Sequence, residues 1–157
     1  MPSRAMIGLG SNLGDRRATL DGAVAALAAS PDIDVVRVSG FIETEPVGGP
    51  PGQGPYLNAA LEVKTTLDPL GLLRVLQEIE GRFGRVRAVR WGERTLDLDL
   101  LLFDDLVVDS PELTVPHSRM TGRRFVLEPL AEIAPTTVIP DTGRTVAEWL
   151  VVLTDQR

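Results

Sequence analysis

The most apolar strand-like run in the chain, Leu96 to Phe103 in "TLDLDLLLF", carries two carboxylates, Asp97 and Asp99. Residues two apart on a strand point to the same side. Asp97 and Asp99 are therefore expected on one face, with Leu96, Leu98, Leu100 and Leu102 on the other. Their Cα atoms should stand roughly 6.5 Å apart, two steps of about 3.3 Å. Carboxylates this close repel and are costly to desolvate unless positive charge sits between them. Two fillings satisfy that demand. One is Mg²⁺, which takes oxygen ligands and is commonly held by one or two carboxylates plus substrate phosphates. The pair could hold one ion, or two ions roughly 3.5–4 Å apart. The other filling is an arginine such as Arg94.

The rest of the chain supplies a frame for that strand. "RAMIGLGSN" begins as a short apolar strand and ends in a glycine turn. "GDRRATLDGAVAALAAS" has Leu20, Ala23, Val24, Leu27 and Ala28 at helical spacing. "DIDVVRVSGFIETEPV" reads as one strand, and "GGPPGQGP" as a loop. "YLNAALEVKTTL" alternates, with Leu57, Ala59, Leu61 and Val63 on one side and Asn58, Glu62 and Lys64 on the other. Asp68-Pro69 opens an amphipathic helix as N-cap and first helical residue. The aspartate strand, a hairpin around "LVVDSPELTVPH", and helices at "RRFVLEPLAEIAP" and "TVAEWLVVL" follow. The order β-α-β-β-α-β predicts an α+β fold. Its form is a ferredoxin-like antiparallel sheet with helices on its faces, a three-layer α/β/α sandwich.

The 157 residues fit a single domain spanning 1–157. There is no cysteine, which excludes disulfides, thiolate metal sites and a cysteine nucleophile. The N-terminus lacks the apolar core of a signal peptide, and no apolar run is long enough to span a membrane, so a cytoplasmic protein without a membrane partner is expected. The net charge of −6 argues against nucleic acid as a partner. All but one of the 16 basic residues are arginine, Lys64 being the exception. Arg82, Arg85, Arg87, Arg90 and Arg94 form one cluster, and Arg119, Arg123 and Arg124 a second after His117. Two local arginine clusters in an acidic protein point to a compact polyanion, since the guanidinium fork matches phosphate oxygens. A solvated charged face is the alternative. The Arg85–Arg94 stretch beside the aspartates suits a lid over polyphosphate, and Trp91 within it can pack on a planar ligand or on the protein surface.

Other motifs constrain less. "GLGSNLG" fails the G-x-G-x-x-G pattern, because Leu13 stands at the third glycine position, and no P-loop motif is present. A single histidine, His117, excludes metal sites built on several histidines. Tyr56 and Asn58 share a strand face, which can present a stacking or hydrogen-bonding surface, although pattern alone favours core packing and strand polarity for both and for Phe125.

Taken in order, "GSNLGDR", "YLNAALEV", "RWGERTLDLDLLLF", "LTVPH" and "RRFVLEPLAEIAP" resemble the 6-hydroxymethyl-7,8-dihydropterin pyrophosphokinase family, from about Met6 to Pro140. The resemblance implies transfer of pyrophosphate from ATP to that pterin in folate biosynthesis, with AMP released and ATP and the pterin as the small-molecule partners of a monomer. It implies two Mg²⁺ ions on Asp97 and Asp99, with Arg85 and Arg94 as catalytic arginines. It assigns Gln77, Glu80, Arg87, Trp91, Arg94, His117 and Arg123 to ATP. Thr44, Val47, Tyr56, Asn58, Trp91 and Phe125 fall to the pterin. Glu112 and Ser118 depart from the basic and aromatic nucleotide contacts of some members. Two rival readings share these residues: a metal-dependent phosphohydrolase, and a ferredoxin-like module that binds a nucleotide without turnover.

Overall fold

The computed structural model describes residues 2–12, 15–44, 55–83 and 96–155. Its central sheet is built from β1 (Ser3–Ser11), β2 (Ile33–Val38), β3 (Ile42–Thr44), β4 (Tyr56–Thr65) and β5 (Asp97–Phe103). The order is β2-β4-β1-β5, with β3 also paired to β4, and every pairing is antiparallel. Helices α1 (Arg16–Ala28) and α2 (Pro69–Arg82) connect the strands, giving the expected ferredoxin-like topology. The hairpin β6 (Val108–Asp109)–β7 (Thr114–Val115) follows, then α3 (Arg124–Ile133), the hairpin β8 (Val138–Ile139)–β9 (Arg144–Thr145), and α4 (Val146–Asp155).

Alternation along the strands divides the core in two. Ala5, Ile7, Leu9, Ala59, Leu61, Val63, Leu98 and Leu100 pack with Leu20, Leu27, Leu72, Leu76 and Ile79 of α1 and α2. Met6, Ala60, Leu101 and Leu102 pack with Leu127, Leu130 and Ile133 of α3 and Val146 of α4. Helices on both faces make the three-layer sandwich. Helix α2 starts as its sequence predicts: Asp68 caps it by accepting from the Gly71 N–H at 2.7 Å, with Pro69 in the first turn. Covering the second face also buries Glu62, which alternation places on the polar side. Its carboxylate accepts from Arg4 Nε at 2.9 Å, with Arg37 Nε at 3.9 Å.

Three expectations are corrected. Strand β1 continues through Gly8 and Gly10 to Ser11, so these glycines belong to the sheet and not to a turn. The single strand expected after α1 is two, β2 and β3. At the break, Ser39 donates its N–H to the Ala60 carbonyl at 2.9 Å and accepts the Ala60 N–H on its hydroxyl at 2.8 Å. Leu102 lies on the α3 face, away from Leu96, Leu98 and Leu100. The register shifts there, Met6 facing Leu102 while Ile7 faces Leu100, so a bulge at Leu101 resets the alternation. The β8–β9 hairpin between α3 and α4 was not foreseen.

Helix α4 begins with a reciprocal cap. Thr145 Oγ1 accepts the Glu148 N–H at 3.1 Å, and Glu148 Oε1 accepts the Thr145 N–H at 2.9 Å. The Thr145 backbone N–H first, and then the Thr145 side chain, hold the Glu148 carboxyl below its usual 4.5. A depressed carboxyl stabilises the fold above its unfolded pKa and loses that contribution as pH falls. Thr145→Ala is expected to lower stability by about 1 kcal/mol. In denaturant titrations the gap between wild type and Glu148→Ala should be full at pH 7 and narrow below pH 4.5.

Candidate active site

Asp97 and Asp99 open β5, the edge strand beside β1, and both are half-buried. In register, Asp97 faces Gly10 and Asp99 faces Gly8; on the other side of β1, Gly10 faces Asn58 and Gly8 faces Ala60. The carboxylates share one face, as the alternation predicts. On that face β1 places no side chain between Asp97 and Asn58, whose Cα atoms are two strand spacings, roughly 10 Å, apart.

Asn58 uses this gap. It is buried, and its Nδ2 donates to Thr44 Oγ1 at 2.5 Å. A Cβ at position 10 would stand 3.0 Å from Asn58 Oδ1 and 3.7 Å from the Tyr56 ring. The amide oxygen and the phenol ring therefore lie over β1 at Gly10. Thr44 and Tyr56 pair across β3 and β4, so Thr44, Tyr56 and Asn58 form one cluster, reached from Asp97 by way of Gly10.

The other side of β5 is a cleft of about 280 Å³. Leu98, Asp99 and Leu100 line it from β5, Leu73 from α2, Glu112, Leu113 and Thr114 from the β6–β7 hairpin, and His117 and Ser118 from the segment that follows. Asp99 thus belongs both to this cleft and to the face with Asp97. The His117 N–H donates to the Leu101 carbonyl at 2.9 Å, which docks the segment along the free edge of β5. His117 Nδ1 accepts the Arg119 N–H at 3.4 Å, which leaves Nε2 as the ring's donor. Glu112 pairs with Arg74 at 3.5 Å, tying the hairpin to α2.

Gln77 is exposed on α2, one turn beyond Leu73, and Glu80 is buried a turn further on. Glu80 Oε2 accepts the Leu98 N–H at 2.8 Å, so it sets the position of β5 between the two aspartates. Arg123 precedes α3, its guanidinium 5.5 Å from the centroid of the Phe125 ring. Val47, Arg85, Arg87, Arg90, Trp91 and Arg94 lie outside the described residues. Sequence reasoning did not single out Gly8 and Gly10 as part of the site. Their signal was available, because glycines two apart in an apolar strand strip one face of side chains.

A profile of the 7,8-dihydro-6-hydroxymethylpterin-pyrophosphokinase family matches residues 6–135. The chain belongs to this family. It is an enzyme of the pyrophosphokinase type, a diphosphotransferase of folate biosynthesis. The 2-amino-4-hydroxy-6-hydroxymethyldihydropteridine pyrophosphokinase of Bacillus subtilis is 50% identical over 133 residues, 85% of this chain and 79% of that one. The enzyme of the same name from Methylorubrum extorquens is 48% identical over 151 residues, 96% of this chain and 94% of that one. Among solved structures, Plasmodium falciparum HPPK-DHPS with pteroate superposes with a TM-score of 0.75 at 16% identity, over 97% of this chain and 42% of that one. The pyrophosphokinase chain thus spans less than half of that longer protein, and the likeness shows the shared fold. No helix among the described residues is long and apolar enough to cross a membrane.

The glycines give a test of this geometry. Gly10→Ala should force Asn58 aside and cost about 1–3 kcal/mol, the usual range for overpacking. Gly8→Ala meets only the end of the Leu101 side chain, at 3.4 Å, and should leave stability within about 0.5 kcal/mol of wild type. Thermal denaturation of the two variants side by side checks the contrast.

Proposed function

We propose that the chain transfers the pyrophosphoryl group of ATP to 6-hydroxymethyl-7,8-dihydropterin, giving the pterin diphosphate and AMP. The observation that carries this reading is the run from the edge cleft through Asp99 and Asp97 to Asn58. It sets a carboxylate pair between a cleft at the sheet edge and a cluster of hydrogen-bonding and aromatic side chains. A donor nucleotide, its phosphates and an acceptor would lie in that order. The names of the relatives from Bacillus subtilis and Methylorubrum extorquens support the pterin as acceptor.

In this reading the nucleoside lies along β5 in the cleft, with Gln77, Glu80, His117 and Arg123 on the ATP side. The pterin stacks on Phe125, with Asn58 at its polar edge and Thr44, Val47 and Tyr56 around it. Arg85, Arg87 and Arg94 bring positive charge to the phosphates as an arginine-rich lid, and Trp91 covers the ring.

Asp97 and Asp99 would hold Mg²⁺, two ions in this reading. The donor set fits: two half-buried carboxylates share a face, with a glycine opposite each. Among the described residues no group of three His, Asp or Glu side chains could hold a metal. The remaining oxygens would then come from phosphate and water, as is usual for magnesium. When bound, Mg²⁺ supplies neutralisation of the phosphate oxygens. Asn58 and Phe125 orient the pterin so that its hydroxymethyl oxygen approaches the β-phosphorus. The new O–P bond forms as the bond from the β-phosphorus to the AMP oxygen breaks, and the hydroxyl proton passes to Asp97 or to water. Catalysis here is positioning and charge stabilisation more than covalent chemistry. In this reading the chain acts as a monomer in the cytoplasm.

AMP should appear only when protein, Mg²⁺, ATP and the pterin are together, and chelation should stop it. Asp97→Ala and Asp99→Ala should each lower the rate by about 10³-fold, and Arg94→Ala should cost about 3 kcal/mol or more in activation free energy. An assay of AMP, ADP and phosphate decides. Phosphate or pyrophosphate release without pterin would make the chain a phosphohydrolase. Nucleotide binding without turnover would make it a binding module.

A further inference from the structure

Helix α1 starts against its own electrostatics. Asp15 caps it, accepting the Ala18 N–H at 3.1 Å, but its first two helical residues are Arg16 and Arg17, and no acid stands in the first turn. The N-terminal end of a helix carries partial positive charge and disfavours cations. Both arginines are engaged elsewhere. Arg16 Nη1 donates to the Pro55 carbonyl at 2.7 Å, and its Nη2 donates to Glu43 Oε1, also at 2.7 Å. The Arg17 guanidinium stands 4.9 Å from the centroid of the Phe41 ring.

These contacts converge on one small element. Strand β3 has three residues and, among the described residues, pairs only with β4. Phe41 precedes it, Glu43 is its middle residue, and Pro55 precedes β4. Arg16 thus bridges the residues next to Thr44 and Tyr56, which face each other across the two strands. So short a ladder has little stability of its own. The planar guanidinium fork can hold two acceptors in fixed geometry, whereas a lysine ammonium cannot.

We infer that Arg16 is a positioning residue for the acceptor pocket. By clamping Glu43 and Pro55 it fixes the β3–β4 pairing, and through it the Thr44 hydroxyl that holds the Asn58 amide. The inference rests on the proposed pterin reading of Thr44, Tyr56 and Asn58. Arg16 touches no substrate in this account. Its effect is confined to the pterin side, because the edge cleft and Asp99 lie across the sheet on β5.

Two measurements on the whole chain test it, with Arg16→Ala and Arg16→Lys compared with wild type. Hydrogen exchange without substrates reads the clamp alone: the amides of Ile42, Thr44 and Tyr56 should exchange faster in both variants, while those of β1 and β5 stay as in wild type. Steady-state kinetics read the consequence: KM for the pterin should rise about tenfold with KM for ATP unchanged. Glu43→Gln, which weakens one of the two contacts, should give a smaller rise. Unchanged exchange in β3–β4 would overturn the clamp. Faster exchange with an unchanged pterin KM, or an equal rise in both KM values, would overturn the positioning role. Wild-type protein without pterin-dependent turnover would defeat the reading of the pocket and this role with it; the exchange data would still judge the clamp separately.

Discussion

The proposed reaction centre depends on β1 having no side chain at two successive positions on one face of the sheet. Gly8 and Gly10 lie between β5, which carries the aspartates, and β4, which carries Asn58. A methyl group at position 10 would press on the Asn58 amide oxygen. The same strand turns Ile7 and Leu9 into the α1–α2 core. One strand therefore packs into the core on one side and leaves the aspartates and Asn58 facing each other across bare backbone on the other side. Glycine in a strand interior weakens the strand. Here β1 is flanked on both sides by long strands, which can absorb that cost.

The two sides of β5 divide the work. Its face presents Asp97 and Asp99, and its outer edge forms one wall of the cleft that holds His117 and Ser118. Glu80 sets the height of the strand by taking the Leu98 N–H in a buried hydrogen bond. A carboxylate committed to a backbone donor between two other carboxylates makes the position of the site a matter of core packing. The acceptor side is held by shorter means: a three-residue strand, one side-chain hydrogen bond from Asn58 to Thr44, and the arginine clamp of α1.

Much of this was legible in the sequence. The period of two placed Asp97 and Asp99 together because β5 is regular up to Leu100, and it failed at Leu102 because a bulge intervenes that no residue type announces. Asp68-Pro69 named its helix start because capping is local chemistry. Gly8 and Gly10 were misread because glycine is foremost a turn residue, and only the pairing of β1 on both sides shows that it serves close approach instead. The cleft could not be foreseen: its walls come from α2, β5 and the β6–β7 hairpin, and chain periodicity carries no information about their meeting. The burial of Glu62 and the bond from Leu98 to Glu80 belong to the same class of long-range facts.

In the proposed function Asn58 and the aspartates serve one reaction from one face of the sheet. Backbone and side-chain amide NMR of labelled protein, with the pterin and Mn²⁺–ATP added separately, can refute this. The pterin should shift the Asn58 side-chain amide and the amides of Gly10, Thr44 and Tyr56. Paramagnetic broadening by Mn²⁺–ATP should centre on Asp97 and Asp99 and extend to His117. Pterin shifts confined to the β8–β9 hairpin and α4, or broadening centred away from β5, would contradict it.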